Sequence, residues 1–317
     1  MSPYPVETVR GFFRGRHEVD VVTVPDPPAP AAVREAVAGA DLVIGDKRHK
    51  HRLDRETLSA MQRCRLIQQP AVGFDVIDHE AAAEFGIPVA NAAAYNSEAV
   101  ADWTLMAILN LLRMGAWADS RMHRGEWPRE QMRGREVGAL TVGIIGLGNV
   151  GSAVARRLLA FGATVVFCDL VPRRLDGADA VDLDGLLAVS DVVCVHTYLD
   201  PRKGALLDAS RLGKMKPGAI LVNAARGPLV DEGALLDALR SGHLGGAGLD
   251  VYEQEPLAAA SPLRELENVF LSPHVAGSTH EAEARLLDVV GANLLRVLDG
   301  EPPVNVVNGM TPDRVHA

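Results

Sequence analysis

The sequence predicts an α/β protein made of two doubly wound parallel-sheet domains, and three patterns carry that prediction. Short apolar, β-branched runs alternate with helical periods along most of the chain. One strand-to-helix junction holds a glycine-rich turn, Gly146-Leu147-Gly148-Asn149-Val150-Gly151, whereas residues 1–95 repeat the alternation without such a turn. The length, 317 residues at 48% hydrophobic content, is enough for two cores, since domains run to about 100–200 residues each.

The turn organises its surroundings. Thr141 to Ile145 reads as a buried parallel strand, and an apolar-periodic helix through Ala153, Val154, Leu158 and Leu159 ends at Gly162. Thr164 to Cys168 forms the next strand and closes on Asp169. Gly146 permits the tight turn, Gly148 lets backbone approach a pyrophosphate, and Gly151 lets the helix pack on the sheet. Amides at a helix N-terminus favour phosphate. Asp169 follows the glycines by roughly 20 residues, where an acid accepts from a ribose 2′-hydroxyl and repels a 2′-phosphate. NAD is therefore the expected cofactor, with Arg173 and Arg174 weakening the discrimination against NADP. The domain reads as Rossmann-like.

In residues 1–95 the expected strands are Val19–Val24, Asp41–Gly45, Leu66–Gln69 and Ile87–Asn91; the expected helices are Ala31–Ala38, Glu56–Cys64 and Asp78–Phe85. Asp26-Pro27-Pro28-Ala29-Pro30 reads as a rigid connection. This is a second, flavodoxin-like domain with a different task. A long helix opens at Asn96-Ser97, with Ser97 as N-cap, and leads into the dinucleotide domain. There, strands Asp191–Val195, Ala219–Asn223, Ala247–Leu249 and Val269–Leu271 end at Thr197, Arg226, Asp250 and His274. Ligands of open α/β sheets collect beyond the carboxyl ends of strands, so these four are candidates. A last helix, capped by Ser278 or Thr279, stops at Gly300 and returns the tail to the first domain. The expected division is 1–96 with 288–317 as one domain and 97–287 inserted into it.

Composition narrows the functions. The formal net charge of −9 does not favour nucleic acid or membrane as partners. No export signal or long apolar run stands out, so a cytoplasmic protein is expected. Cys64, Cys168 and Cys194 are far apart and read as reduced core thiols, and no metal site is expected. Hydride transfer at a hydroxyl-bearing carbon needs a proton carrier and a clamp for the substrate anion. His274, a carboxylate on its second nitrogen such as Glu255, and Arg226 supply that set. Singly, Arg226 reads as a loop arginine, Glu255 as a turn residue and His274 as a core histidine; the joint pattern reads as a site.

GLGNVG with Asp169, NAARGPLVDEGAL (Asn223 to Leu235), GLDVYEQEP (Gly248 to Pro256) and SPHVAGST (Ser272 to Thr279) together resemble the D-isomer-specific 2-hydroxyacid dehydrogenases. AVGFDVID (Ala71 to Asp78) and NSEAVAD (Asn96 to Asp102) look like that family's substrate-loop and hinge-helix segments. The resemblance implies a cofactor domain inserted in a substrate domain, a site in the cleft between them, and homodimers pairing through cofactor-domain elements. It implies that Arg226 binds the substrate carboxylate, His274 is the acid/base and Glu255, rather than Glu253, orients it. Asn149 and Val150 would meet the pyrophosphate, Asp250 the nicotinamide amide, and Thr197, Ala224, Ala225 and Gly277 would line the cofactor. Backbone amides of Val72 and Gly73 would hold the substrate carboxylate. The chain departs from the pattern at Gln69-Pro70-Ala71, where Arg and a small residue are usual, and at Tyr198, where proline is common. Both bear on which 2-oxo or 2-hydroxy acid is the substrate.

The basic stretch Lys47-Arg48-His49-Lys50-His51-Arg52 reads first as a solvated loop. Its alternative is functional: Lys47 and Arg48 reaching a second anion on a substrate such as phosphoglycerate or phosphonopyruvate. A reading from another class, an NAD(H)-sensing corepressor-like binding protein, shares the fold. The complete trio favours the enzyme.

Overall fold

A computed structural model of the protein describes residues 4–13, 15–24, 29–47, 51–198 and 203–310. The chain divides into two compact units, Met1–Asn96 with His280–Ala317, and Ser97–Thr279.

The first unit is built on three parallel strands in the order β1 (Leu42–Ile44), β2 (Leu66–Gln68), β3 (Val89–Ala90). Leu66, Ile67 and Val89 are fully buried. Val33 and Val37, Leu58, and Ala81 and Ala82, from three short helices, pack against the same core. Two of those helices start at aspartates that accept a backbone N–H three residues on: Asp54 from Thr57 and Asp78 from Ala81. The tail adds an antiparallel bridge from Val306 to Ala90, and the Asn308 carboxamide accepts from Val89 N and donates to Ile87 O. The buried Asn293 donates to Gln68 Oε1 and to Val304 O, tying the His280–Leu298 helix to sheet and tail at once.

Three expectations for this unit are corrected. Val19–Val24 forms no strand; these residues line a cavity beside β1. Alternating β-branched residues favour an extended chain, but a strand exists only through pairing, which propensity alone does not supply. The helix expected over Glu56–Cys64 stops at Ser59, where Ala60 N and Met61 N bond back three residues to Thr57 and Leu58 and tighten the chain out of the α-helix. The division expected near residue 288 falls between Thr279 and His280. The final helix is unbroken from His280, so the turn before it is the natural place to change unit. Of the Asp26–Pro30 connection, residues 26–28 lie outside the described residues.

In the second unit seven parallel strands run in the order β10-β9-β8-β7-β4-β5-β6: β4 (Thr141–Ile145), β5 (Thr164–Cys168), β6 (Ala178–Ala180), β7 (Val192–Val195), β8 (Ala219–Asn223), β9 (Leu244–Leu249) and β10 (Val269–Leu271). Chain order reverses on either side of β4, so the crevice for a ligand lies between the carboxyl ends of β4 and β7. Alternate residues of each strand serve opposite faces. Val142, Ile144, Val165, Phe167, Val192 and Cys194 meet the Ser97–Arg113 and Asn149–Ala160 helices. Ile145, Val166, Val193, Val195 and Leu221 meet Leu186, Leu212, Leu235 and Leu239 on the other face. Fully burying a leucine contributes about 1.5–3 kcal/mol, so the two cores anchor the strand ends that carry the site.

Candidate active site

The turn after β4 has the shape that its glycines dictate. Gly146 takes φ +94°, and a Cβ there would lie 2.4 Å from the His196 carbonyl oxygen that ends β7. A Cβ on Gly151 would lie 2.0 Å from the Gly146 carbonyl oxygen, so helix and turn are in direct backbone contact. Gly148, by contrast, faces open space. No side chain caps the Asn149–Ala160 helix, so the amides of its first turn, at Asn149 and Val150, face a place that an anion fits. NAD is compatible with this cradle: the one glycine with nothing above it is the one that a pyrophosphate approaches.

Asp169 sits at the carboxyl end of β5. Its Oδ2 accepts from Leu147 N at 2.8 Å and its Oδ1 from Val171 N at 2.9 Å. The carboxylate thus holds the glycine turn in place while standing at the ribose position. Arg173 Nε is 4.0 Å from Oδ2. Thr197, half-buried, packs its backbone N–H beside Gly146. His196, which the sequence reading passed over, has its Nε2 buried without a hydrogen-bond partner, and burial pushes its pKa down to about 4. It is a neutral imidazole at the crevice.

Three further strand ends converge. After β8, the buried Asn223 shapes the turn: its Oδ1 accepts from Ala225 N at 3.0 Å and its Nδ2 donates to Arg226 O at 2.9 Å. The Arg226 guanidinium donates to Ala225 O at 2.7 Å, and its charge acts on both Glu255 and His274. Ala224 and Ala225 are half-buried on the same turn. A Cβ on Gly227 would fall 1.8 Å from the Tyr252 carbonyl oxygen, so the arginine turn and the Tyr252–Glu255 turn are in contact through that glycine.

After β9 and β10 come the acid and the histidine. His274 Nδ1 lies 2.7 Å from Glu255 Oε2, and Glu255 Oε1 accepts from Tyr252 N at 3.2 Å. Glu253, the alternative acid, accepts instead from Glu232 N. The hydrogen bond to Glu255 raises the His274 pKa above the ordinary histidine value; burial opposes it, the charges of Glu255 and Asp250 add to it, and Arg226 lowers it. Burial penalises the charged form of Glu255, but the hydrogen bond and charge of His274, Tyr252 N–H and Arg226 together hold it below the usual carboxylate range. Each partner favours the charged form of the other. Nδ1 is engaged, so Nε2 is the nitrogen available to a substrate.

Asp250 stands where the sequence placed it, at the end of β9, and is 1% exposed. Its carboxylate accepts from Ser272 Oγ at 2.5 Å, Val275 N at 2.9 Å and Ala276 N at 2.8 Å. Neither this loop-holding role nor the Tyr252 hydroxyl bond to Ser272 O, 2.8 Å, was read from the sequence. Both join distant turns, which spacing does not reveal. Gly277 follows, half-buried.

In the first unit, Val72 is exposed and Gly73 buried, and Asn91 Nδ2 donates to Val72 O at 2.7 Å, fixing that turn. Lys47 is ion-paired with Glu283, and His51 Nδ1 lies 2.7 Å from the buried Asp46 carboxylate. The described ends of the basic stretch are therefore internally paired, neither simply solvated nor presenting Lys47 as an unpaired cation. Arg48, His49 and Lys50 lie outside the described residues. Among the described residues, no cluster of His, Cys, Asp and Glu is arranged to hold a metal, and no helix is long and apolar enough to cross a membrane.

Comparison with known proteins agrees with this geometry. Residues 105–276 match the family model described as D-isomer specific 2-hydroxyacid dehydrogenase, NAD binding domain. A glyoxylate reductase of Korarchaeum cryptofilum (strain OPF8) is 37% identical over 300 residues, covering 92% of this chain and 90% of the relative. A D-3-phosphoglycerate dehydrogenase of Mycobacterium leprae (strain TN) is 39% identical over 92% of this chain but 56% of its own length, so this chain spans little more than half of that relative. Among solved structures, D-lactate dehydrogenase from Aquifex aeolicus, complexed with NAD and lactic acid, superposes with TM-score 0.83 at 30% identity, covering 95% of each chain. With the glycine turn, the acid at the ribose position and the Arg226–Glu255–His274 group assembled at one sheet edge, the chain belongs to the family of D-isomer-specific 2-hydroxyacid dehydrogenases, NAD-dependent oxidoreductases that interconvert 2-oxo acids and D-2-hydroxy acids.

Proposed function

We propose that this chain reduces a small 2-oxo acid to its D-2-hydroxy acid, and runs the reverse, with Arg226, Glu255 and His274 as its chemical residues. The observation that carries the proposal is the His274 Nδ1–Glu255 Oε2 pair at 2.7 Å, with the Arg226 charge acting on both partners. Arg226 pairs with the substrate carboxylate and polarises the adjacent carbonyl. The amides of Val72 and Gly73, on a turn fixed by Asn91, are the first unit's expected partners for the same carboxylate. Protonated His274 donates from Nε2 to the substrate oxygen in reduction and accepts that proton in oxidation; Glu255 holds the ring and stabilises its charged form. Asn149 and Val150 amides, Gly146, Gly148 and Gly151, Asp169, Thr197, Ala224, Ala225, Asp250 and Gly277 are the residues that would hold NAD, with Asp169 giving preference over NADP. When bound, the nicotinamide supplies the hydride.

Glyoxylate, pyruvate and hydroxypyruvate are the expected substrate class. Lys47 is already partnered by Glu283, so no second substrate anion is assigned to it. The test is NADH consumption against these acids together with oxaloacetate and phosphonopyruvate, with chiral analysis of the product. A D-hydroxy acid from at least one of the first three is expected; turnover of none, or an L product, contradicts the proposal.

A homodimer is proposed on the Gly115–His123 helix, which buries none of its residues, and on Trp127 just beyond it, 76% exposed. Trp103 is buried against Phe270 and belongs to the core instead. Cytoplasmic location is proposed on the three free cysteines, two of them buried.

A further inference from the structure

His274 has a backbone conformation that an L residue avoids. Its φ is +55°, one of four positive-φ non-glycine residues described, and such residues persist only where neighbours impose the conformation. Here one residue supplies most of the constraint. Asp250 O accepts from His274 N at 2.8 Å, and the Asp250 carboxylate takes Ser272 Oγ, Val275 N and Ala276 N. Four hydrogen bonds from residues on both sides of His274 thus end on one side chain and its carbonyl. Tyr252 closes the other side: its hydroxyl donates to Ser272 O while its N–H donates to Glu255. Three of the four acceptor positions of the Asp250 carboxylate are occupied by this loop.

We propose that Asp250 is the positioning residue of the acid–base histidine, moulding Ser272–Ala276 so that His274 presents Nδ1 to Glu255. This goes beyond any contact Asp250 makes with the cofactor, and it rests on the assignment of His274 as acid/base. The groups facing the imidazole are Glu255 from the turn after β9, Asp250 from the strand end and Arg226 from the turn after β8. Removing the Asp250 charge leaves the Arg226 charge less opposed, so His274 loses its proton at lower pH.

Asp250→Asn tests this. The amide keeps one acceptor oxygen and turns its NH2 toward loop N–H groups. Expected are a kcat lower by roughly tenfold or more and a midpoint of the reductive pH profile lower by roughly half a pH unit or more. The His274 ring signal in an NMR titration without substrate, assigned with His274→Gln, moves by the same amount. NADH affinity, read by fluorescence titration, changes less than kcat does. An unmoved ring titration, or a loss confined to NADH affinity, overturns the inference. Should Asp250→Asn fail to fold, Ser272→Ala carries the test, since it removes one loop donor and leaves the charge: kcat drops a few-fold with NADH affinity kept, and wild-type kcat overturns the inference. If wild-type reduction does not follow the His274 titration at all, the acid–base assignment fails rather than this inference.

Discussion

At the scale of single residues, the site depends on charges placed so that each stabilises the next. Reduction needs protonated His274, whose pKa is raised chiefly by its hydrogen bond to Glu255. The reductive rate is therefore high at low pH and falls as pH rises through that pKa, while the oxidative rate does the opposite. Glu255→Gln removes the charge and weakens the bond, so the reductive midpoint moves to lower pH; a kinetic pH series checks this, and an unmoved midpoint would deny Glu255 its role. Asp169 carries two tasks, ribose recognition and the bond to Leu147 N. Asp169→Ala is expected to lower kcat/KM with NAD and to erode the preference over NADP. Unchanged preference, measured with both cofactors, would remove Asp169 from the ribose. The αL backbone of His274 costs on the order of 1–3 kcal/mol, a cost that the Asp250 and Tyr252 bonds offset.

At the scale of elements, the strand ends are the working parts and the glycines set their spacing. Gly151→Ala would drive a methyl to 2.0 Å from the Gly146 carbonyl oxygen. Loss of NADH binding is expected with a destabilisation of about 1–3 kcal/mol, checked by fluorescence titration and thermal melting; full cofactor affinity would show that the turn tolerates separation from the helix. The glycine turn, β4, β5, β8 and β10 are legible in the sequence because buried parallel strands read as continuous apolar runs. Strand β9 starts at Leu244, three residues before its apolar run, because Gly245 and Gly246 conceal it. Those glycines are there for close approach: a Cβ on Gly245 would lie 2.5 Å from the Gly218 carbonyl oxygen. The edge strand β6 carries a polar, exposed Ala178-Asp179-Ala180 and gives no periodic signal at all. The helix Gly115–His123 buries nothing and so has no apolar stripe to read.

At the scale of the whole molecule, both ends of the chain are committed to the first unit, since the tail pairs with β3 and Asn293 joins the last helix to β2. The trio itself was readable because each member ends or follows a strand. The bonds that aim it were not, because Asp250, Tyr252 and Ser272 join turns far apart in sequence. Exposed Trp127 predicts association: light scattering should give a dimer for the wild type and a monomer for Trp127→Glu, and a monomeric wild type would refute the dimer. The central claim is that His274 is the acid/base of 2-oxo acid reduction. Its most direct test is single-turnover NADH oxidation by wild type and His274→Gln, with a 2-oxo acid that the wild type reduces. A loss of roughly 10²–10⁴-fold in the chemical step, with NADH binding retained, is the predicted result; wild-type rates in the variant would contradict it.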